Sequence, residues 1–364
     1  MKEIRHKKTE LSLLTVANVT KTRFAEKVVS GKKWVAYGED NHFPDYLWKL
    51  YCDAPTQAAI IDAKTSWTMG TTMKGGDEVI NQAGETIEEV MRKAVFDLHL
   101  FGGFALQIIY NVKGEIAEVY WADFSKLRTD QTAKVLYWAD DWSSWNVEAR
   151  EYPAFNPNAQ DKRSQIYYFR GGVCRSVYPV PCYLSAIDSM QTECEIQHFH
   201  LNNIKNGFAA NTIVNCNGGV PDKEERKKFE DLLNKKFSGA DNAGRLLISW
   251  NESKDDAITV ERMEDNNFDQ KFAQLRRDTM ENIIVAHRLT SGTLLGRTPT
   301  NTGFTRNEFA EAFKIFNVTV IQPYQRQVLQ SLKKIFPDKE FTFEPFDIPI
   351  AEKGAIPVDG GELS

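Results

Sequence analysis

The chain has 364 residues, 42% of them hydrophobic and 26% charged. That is enough for two or three structural units and excludes a wholly disordered chain. No apolar run approaches the ~18 residues that span a bilayer, and the basic start MKEIRHKK leads into a short apolar stretch with no cleavage signature. With 45 basic against 50 acidic residues the net charge is −5. This argues against a protein that grips nucleic acid by bulk electrostatics, but not against one that handles DNA without holding it. The five cysteines (Cys52, Cys174, Cys182, Cys194 and Cys216) are odd in number and form no C-x-x-C pair, as expected of free thiols in a reducing compartment.

In chain order, residues 1–36 are polar and basic and read as a loosely organised arm, followed by a Pro-punctuated stretch around Phe43, Pro44 and Tyr46. Residues 55–69 predict a helix, with Pro55 in its first turn, Ala58, Ile61, Thr65 and Met69 on one face, and Gly70 at its end. A second helix over 85–101 carries Val90, Ala94, Leu98 and Phe101 and stops at Gly102-Gly103. The period then changes: 104–111 and 116–121 flank Lys113-Gly114 as a β-hairpin, and strand-like pieces continue at 135–138 and 166–169 around a loop region near 140–162.

The second half is more helical. A stripe of Leu184, Ile187, Met190, Cys194, Gln197, Leu201 and Ile204 predicts a helix over 183–205. A strand at 211–215, an amphipathic helix at 222–237 and strands at 245–250 and 258–262 follow. A long helix over 266–288 uses Phe272, Leu275, Thr279, Ile283 and His287. A Gly/Thr/Pro/Asn loop fills 290–305, and a third long helix, 307–335, contains Pro323. Beyond Phe336 the chain is acidic, Pro-spaced and extended.

The usual phosphate cradles, zinc-protease helices and nucleophile elbows are missing. Cys194 and His198 stand four apart on one helix, with His200 beyond, but no second pair stands at a matching distance. A buried thiol on a packing helix is favoured over a metal site. Trp138, Trp142 and Trp145 with Tyr137 lack interleaved cations, which favours packing over base stacking. In the 223–236 helix, Lys227, Lys228, Lys235 and Lys236 alternate with acids, so a solvated or protein-docking face is favoured over phosphate contact. The 291–308 loop is the most unusual piece, because a loop this long between two helices is usually functional or disordered.

Six segments in order carry a resemblance: FGGFALQIIYNVKGEIAEVYW (101–121), IKNGFAANTIV (204–214), FSGADNAGRLLIS (237–249), FDQKFAQLRRDTMENIIVAHRL (268–289), TSGTLLGR (290–297) and FTRNEFAEAFKIFNVTVIQPYQ (304–325). Together they resemble the portal proteins of tailed bacteriophages. The resemblance implies an α+β portal-type fold with eight parts. These are an N-terminal arm (1–36), an αβ wing (37–182), a stem helix (183–206) and a small αβ clip (207–265). A second stem helix (266–289), a tunnel loop (290–306), a wing or crown helix (307–336) and an acidic tail (337–364) complete it.

It further implies a ring of about twelve copies at one capsid vertex, assembled in the host cytoplasm, without catalytic residues, cofactor or metal. Double-stranded DNA would pass through without sequence specificity, and the terminase large subunit, a head–tail adaptor and the major capsid protein would be partners; no membrane is involved. Channel residues on this reading are Thr293, Arg297, Thr298, Thr300, Asn301 and Arg306 in the tunnel loop, with Arg276 and Arg277 on the stem. Docking residues are Lys227, Lys228, Lys235, Asp241 and Asn242 in the clip. The chemistry suits a conduit: each neutralised phosphate steepens salt-dependent binding by about 0.9, so a Thr/Gly/Asn loop with one Arg297 per copy would centre a duplex without braking it. The rival readings are another ring-forming virion connector and a cytoplasmic enzyme without a standard motif. The helix–insert–helix–loop–helix order favours the portal.

Overall fold

The computed structural model describes residues 23–346, apart from 145, 160–162, 173, 175–176, 206–211, 217–245 (of which 224 and 228 are described), 251–267 and 297–305. Its core is built on three helices and two antiparallel sheets. Helix α1 (Phe43–Asp53) runs into α2 (Pro55–Met69) through Ala54, and Pro55 opens α2 where its missing N–H would in any case have no helical acceptor. Helix α3 (Ile87–Phe101) starts on a capping box: the Glu89 N–H donates to Thr86 Oγ1 and the Thr86 N–H donates to the Glu89 carboxylate. It ends at Gly102, whose φ of 84° is the left-handed conformation of a helix C-terminus.

From Gly102 the chain passes directly into β4 (Gly103–Tyr110), the centre of a three-stranded sheet between β5 (Ile116–Ala122) and β9 (Ser164–Arg170). A five-stranded antiparallel sheet joins β1 (Glu26–Val28), β2 (Val35–Tyr37), β6 (Leu127–Thr129), β7 (Val135–Trp138) and β8 (Arg150–Pro153). Two expectations change here. Residues 23–36, read as part of a loose arm, contribute with Tyr37 two strands and the buried trio Val35, Ala36 and Tyr37. The region 140–162, read as loop, contains β8. Helix α1 was not foreseen at all, although Phe43, Leu47 and Leu50 are buried at helical spacing.

The Trp-rich stretch packs, as its composition favoured. Trp142 is buried, donates Nε1–H to the Lys126 carbonyl at 2.9 Å, and has the Arg128 guanidinium 4.8 Å from its ring centre. Trp145 lies outside the described residues.

In the second half, a 3-10 turn at Leu184–Ala186 leads into α4 (Ile187–Lys205), and α5 (Phe268–Ala286) runs back beside it. Phe199 stacks on Phe272 with ring centres 5.2 Å apart, while Met190 and Ile283 enter the main core at the other end. Between the two helices in sequence, β10 (Thr212–Cys216) and β11 (Leu246–Trp250) pair in parallel, from Thr212↔Leu246 to Cys216↔Trp250. Glu224 and Lys228, within the crossover, are helical and exposed.

Helix α6 (Arg306–Phe316) continues through a π-turn at Asn317–Ile321 into α7 (Gln322–Ile335). The turn has a local cause. Pro323 supplies no N–H and its ring would press on the carbonyl four residues back, so the ladder widens and the Gln322 N–H reaches Asn317, five residues back. Finally β12 (Thr342–Phe343) pairs antiparallel with β3 (Met73–Lys74), so the start of the acidic tail is strand laid on the first half. Among the described residues no helix is long and apolar enough to cross a membrane.

Candidate functional site

The α4–α5 pair and the turn after it hold most of the described residues singled out from the sequence, and their base is fastened to the helical layer by buried polar contacts. Glu193 on α4 is buried, and its carboxylate accepts from the Thr56 hydroxyl at 2.6 Å and the Thr56 N–H at 3.4 Å. A carboxylate at the first turn of α2 also meets the positive end of the helix dipole. At the end of α5, His287 is fully buried, shares a 2.6 Å hydrogen bond with Gln57 Oε1 of α2, and stacks on the Tyr183 ring at 4.8 Å. His99 of α3 pairs with Thr68 Oγ1 at 2.8 Å and meets the Tyr324 ring edge-on.

Between them lies Lys64, fully buried, with its Nζ 3.6 Å from Cys182 Sγ and over the Tyr324 ring. Burial first, then the Lys64 ammonium, hold both His99 and His287 well below the ordinary histidine range. None of these polar groups was expected as a unit, because they come from five distant segments of the chain; among them, only His287 stood on a predicted stripe.

Farther out, the pair opens. The stripe expected along 183–205 is buried at Met190 and Cys194, whose thiol burial pushes up to about 11. Beyond Ile196 the same helix exposes Gln197, His198, Phe199 and Leu201. Phe199 is 40% exposed and Leu201 48%, and Leu275 on α5 is 44% exposed. A groove of about 450 Å³ between the two helices is lined by Ile196, Leu201, Arg276 and Thr279 among others. Arg276 and Arg277 are both exposed on α5. Among the described residues no group of three or more His, Cys, Asp or Glu side chains is placed to hold a metal ion.

After α5 the chain turns at Arg288, in the left-handed region at φ 62°, and forms a 3-10 turn over Gly292–Leu295. Thr293, expected on a channel wall, is buried; its Oγ1 donates to Ser291 Oγ at 2.8 Å and its N–H to the same oxygen at 3.2 Å. The open loop expected from 290 is therefore folded as far as Gly296. Arg297, Thr298, Thr300 and Asn301 lie outside the described residues, and Arg306 is the first residue of α6. Of the expected docking residues only Lys228 is described, exposed on its helical turn; Lys227, Lys235, Asp241 and Asn242 are outside.

Comparison with known proteins adds three findings. The family model described as phage portal protein matches residues 78–347. The probable portal protein of Escherichia phage P2 is 21% identical over 235 residues, 64% of this chain and 64% of that protein, so the match spans less than two thirds of the relative's length. Among solved structures, a chain in the neck of an empty gene transfer agent particle, computed with C6 symmetry, superposes with a TM-score of 0.54 at 13% identity, covering 83% of this chain and 84% of that one. A chain in the neck of the native gene transfer agent particle, computed with C12 symmetry, gives 0.52 at 15% identity over the same shares. At these identities the likeness is one of fold.

Proposed function

Since this chain belongs to the phage portal protein family, we propose that it forms a ring at one vertex of a virion capsid, the conduit through which double-stranded DNA is packaged and ejected. The observation that carries this reading is the family match over residues 78–347. The arrangement described above supports it. Helices α4 and α5 form a stem whose base is fixed and whose outer part leaves Phe199, Leu201 and Leu275 uncovered, as a subunit that completes its surface with neighbours would. We take about twelve copies as the ring size, after the C12 symmetry of the neck to which the fold is similar.

In this proposal the segment from 207 to 265 is the clip, which meets the terminase large subunit during packaging and a head–tail adaptor afterwards. Residues 37–182 are the wing, facing the major capsid protein. Arg276 and Arg277 stand on the stem toward the channel. Thr293 anchors the tunnel loop, whose DNA-facing residues are Arg297, Thr298, Thr300, Asn301 and Arg306. The protein carries no catalysis of its own; hydrolysis that drives packaging belongs to its motor partner.

Mass photometry with negative-stain imaging of the purified protein tests the reading. Rings of about twelve copies with a central hole are expected. A compact dimer or tetramer without a hole would overturn it.

A further inference from the structure

Lys64 lies on α2 within the helical layer, wholly cut off from solvent, where an ammonium is costly unless a partner offsets its lost hydration. Among the described residues no carboxylate pairs with it; its side-chain hydrogen bond runs from Nζ to Cys182 Sγ at 3.6 Å. Nζ also stands 5.0 Å from the centre of the Tyr324 ring, whose face is a weak substitute for an anion. Burial first, then the neighbouring Cys182, raise the pKa of the Tyr324 hydroxyl, so a protonated phenol borders the same sulfur.

Cys182, by contrast, is exposed. It stands just before the 3-10 turn at Leu184–Ala186, so a small solute can reach this residue from solvent while its lysine partner stays inside. The other described cysteines lack such a partner. Cys52 and Cys194 have no lysine within hydrogen-bond reach among the described residues, and Cys174 meets the Arg170 guanidinium at 3.8 Å. A guanidinium keeps its proton and cannot act as an amine nucleophile.

We propose that Lys64 and Cys182 form a peroxide-responsive covalent tie, in which hydrogen peroxide oxidises the exposed thiol and the buried amine captures the oxidised sulfur. The tie does not rest on the portal reading. The pair holds one mobile proton between nitrogen and sulfur. In the first step the sulfur attacks a peroxide oxygen: an S–O bond forms, the O–O bond breaks, and the departing hydroxide takes the mobile proton and leaves as water. Cys182 is then a sulfenic acid, oxidised by two electrons while the peroxide is reduced, and Lys64 is a neutral amine. In the second step Nζ attacks that sulfur: an S–N bond forms, the S–O bond breaks, and the hydroxyl leaves as water with one amine hydrogen. The product is a sulfenamide that fastens α2 to the segment leading into α4 and removes the buried cation.

Peptide mapping of the full-length chain tests the tie. Cys52 lies on the same tryptic peptide as Lys64, and its disulfide to Cys182 would mimic the product mass, so the Cys52→Ser protein is the starting material. It is treated with hydrogen peroxide, blocked at free thiols, unfolded without reductant and digested with trypsin. Leu50–Lys74 should then appear uncut at Lys64 and joined to Ser176–Lys205, two hydrogens lighter than the sum of the two peptides. The joined species should vanish when Cys182→Ser is added. It should be about tenfold scarcer when peroxide meets the urea-unfolded chain, where nothing holds the amine at the sulfur. An equal yield from folded and unfolded protein would overturn the proposal. So would a Cys182 that stays unreacted, or that gains two oxygens while trypsin cuts after Lys64 as usual.

Discussion

The two buried histidines tie the molecule's stability to pH through their position. His99 and His287 are neutral in the folded protein because burial and Lys64 oppose a further positive charge, whereas in the unfolded chain each titrates near 6.5. The unfolded state therefore binds more protons below that pH. The stability these groups contribute is complete above about 6.5 and is lost as pH falls toward their depressed folded values, by up to about 1.4 kcal/mol per pH unit per group. Thermal unfolding midpoints at pH 7.5 and 5.0 should show a clear drop in wild type and a smaller one in His287→Gln. An equal drop in both would mean that His287 is not held neutral. This cluster was not legible in the sequence: Gln57, Lys64, His99, Cys182 and Tyr324 gain meaning only when five segments meet, and a lysine inside a helix reads as surface.

At the scale of elements, punctuation decided what could be read. Pro55 and Gly70 bracket α2, and Gly102 ends α3, so both helices were legible nearly to the residue. Helix α1 was not, because His42 offers no side-chain cap and Phe43-Pro44 looks like a turn. Strand β8, with the sequence Arg-Glu-Tyr-Pro, has no apolar alternation and ends in a proline, so neither strand signal was present. Helix α4 was legible where its stripe is buried, at Met190 and Cys194; farther along, Leu201 keeps the same spacing but is exposed.

Gly70 has a second role besides ending α2. It sits at φ 69°, and a Cβ there would lie 2.0 Å from the Glu344 carbonyl oxygen, with the Thr71 N–H donating to that same oxygen at 2.9 Å. Gly70→Ala should destabilise the protein by about 1–3 kcal/mol and lift β12 from β3. Chemical denaturation and hydrogen exchange at residues 342–344 would check both; protection that persists would show that the strand tolerates the shift.

For the whole molecule, the contrast between the fixed base of the α4–α5 pair and its uncovered outer part makes the proposed ring testable without losing the subunit. Phe199→Glu combined with Leu275→Glu places charge where both side chains are already substantially exposed. The thermal midpoint of the isolated chain should move little, while the population of rings in mass photometry should fall by more than tenfold, the factor that corresponds to about 1.4 kcal/mol. Rings that form undiminished would place the subunit contact elsewhere.

The pairing of β12 with β3 joins positions 268 and 270 residues apart, Thr342 to Lys74 and Phe343 to Met73. Synthesis runs from the N-terminus, so the edge of β3 waits for its partner while the more than 260 residues between them are made. Phe336, and Phe341 and Phe343 that pack beside it against the cluster of Met69, Met73, Val90 and Leu98, have not yet been made. The first half is thus finished by almost the last described residues to emerge. A nascent chain cannot offer this completed face to another subunit before residues 336–343 have emerged, so in the proposed ring the order of the sequence sets subunit contact after their synthesis.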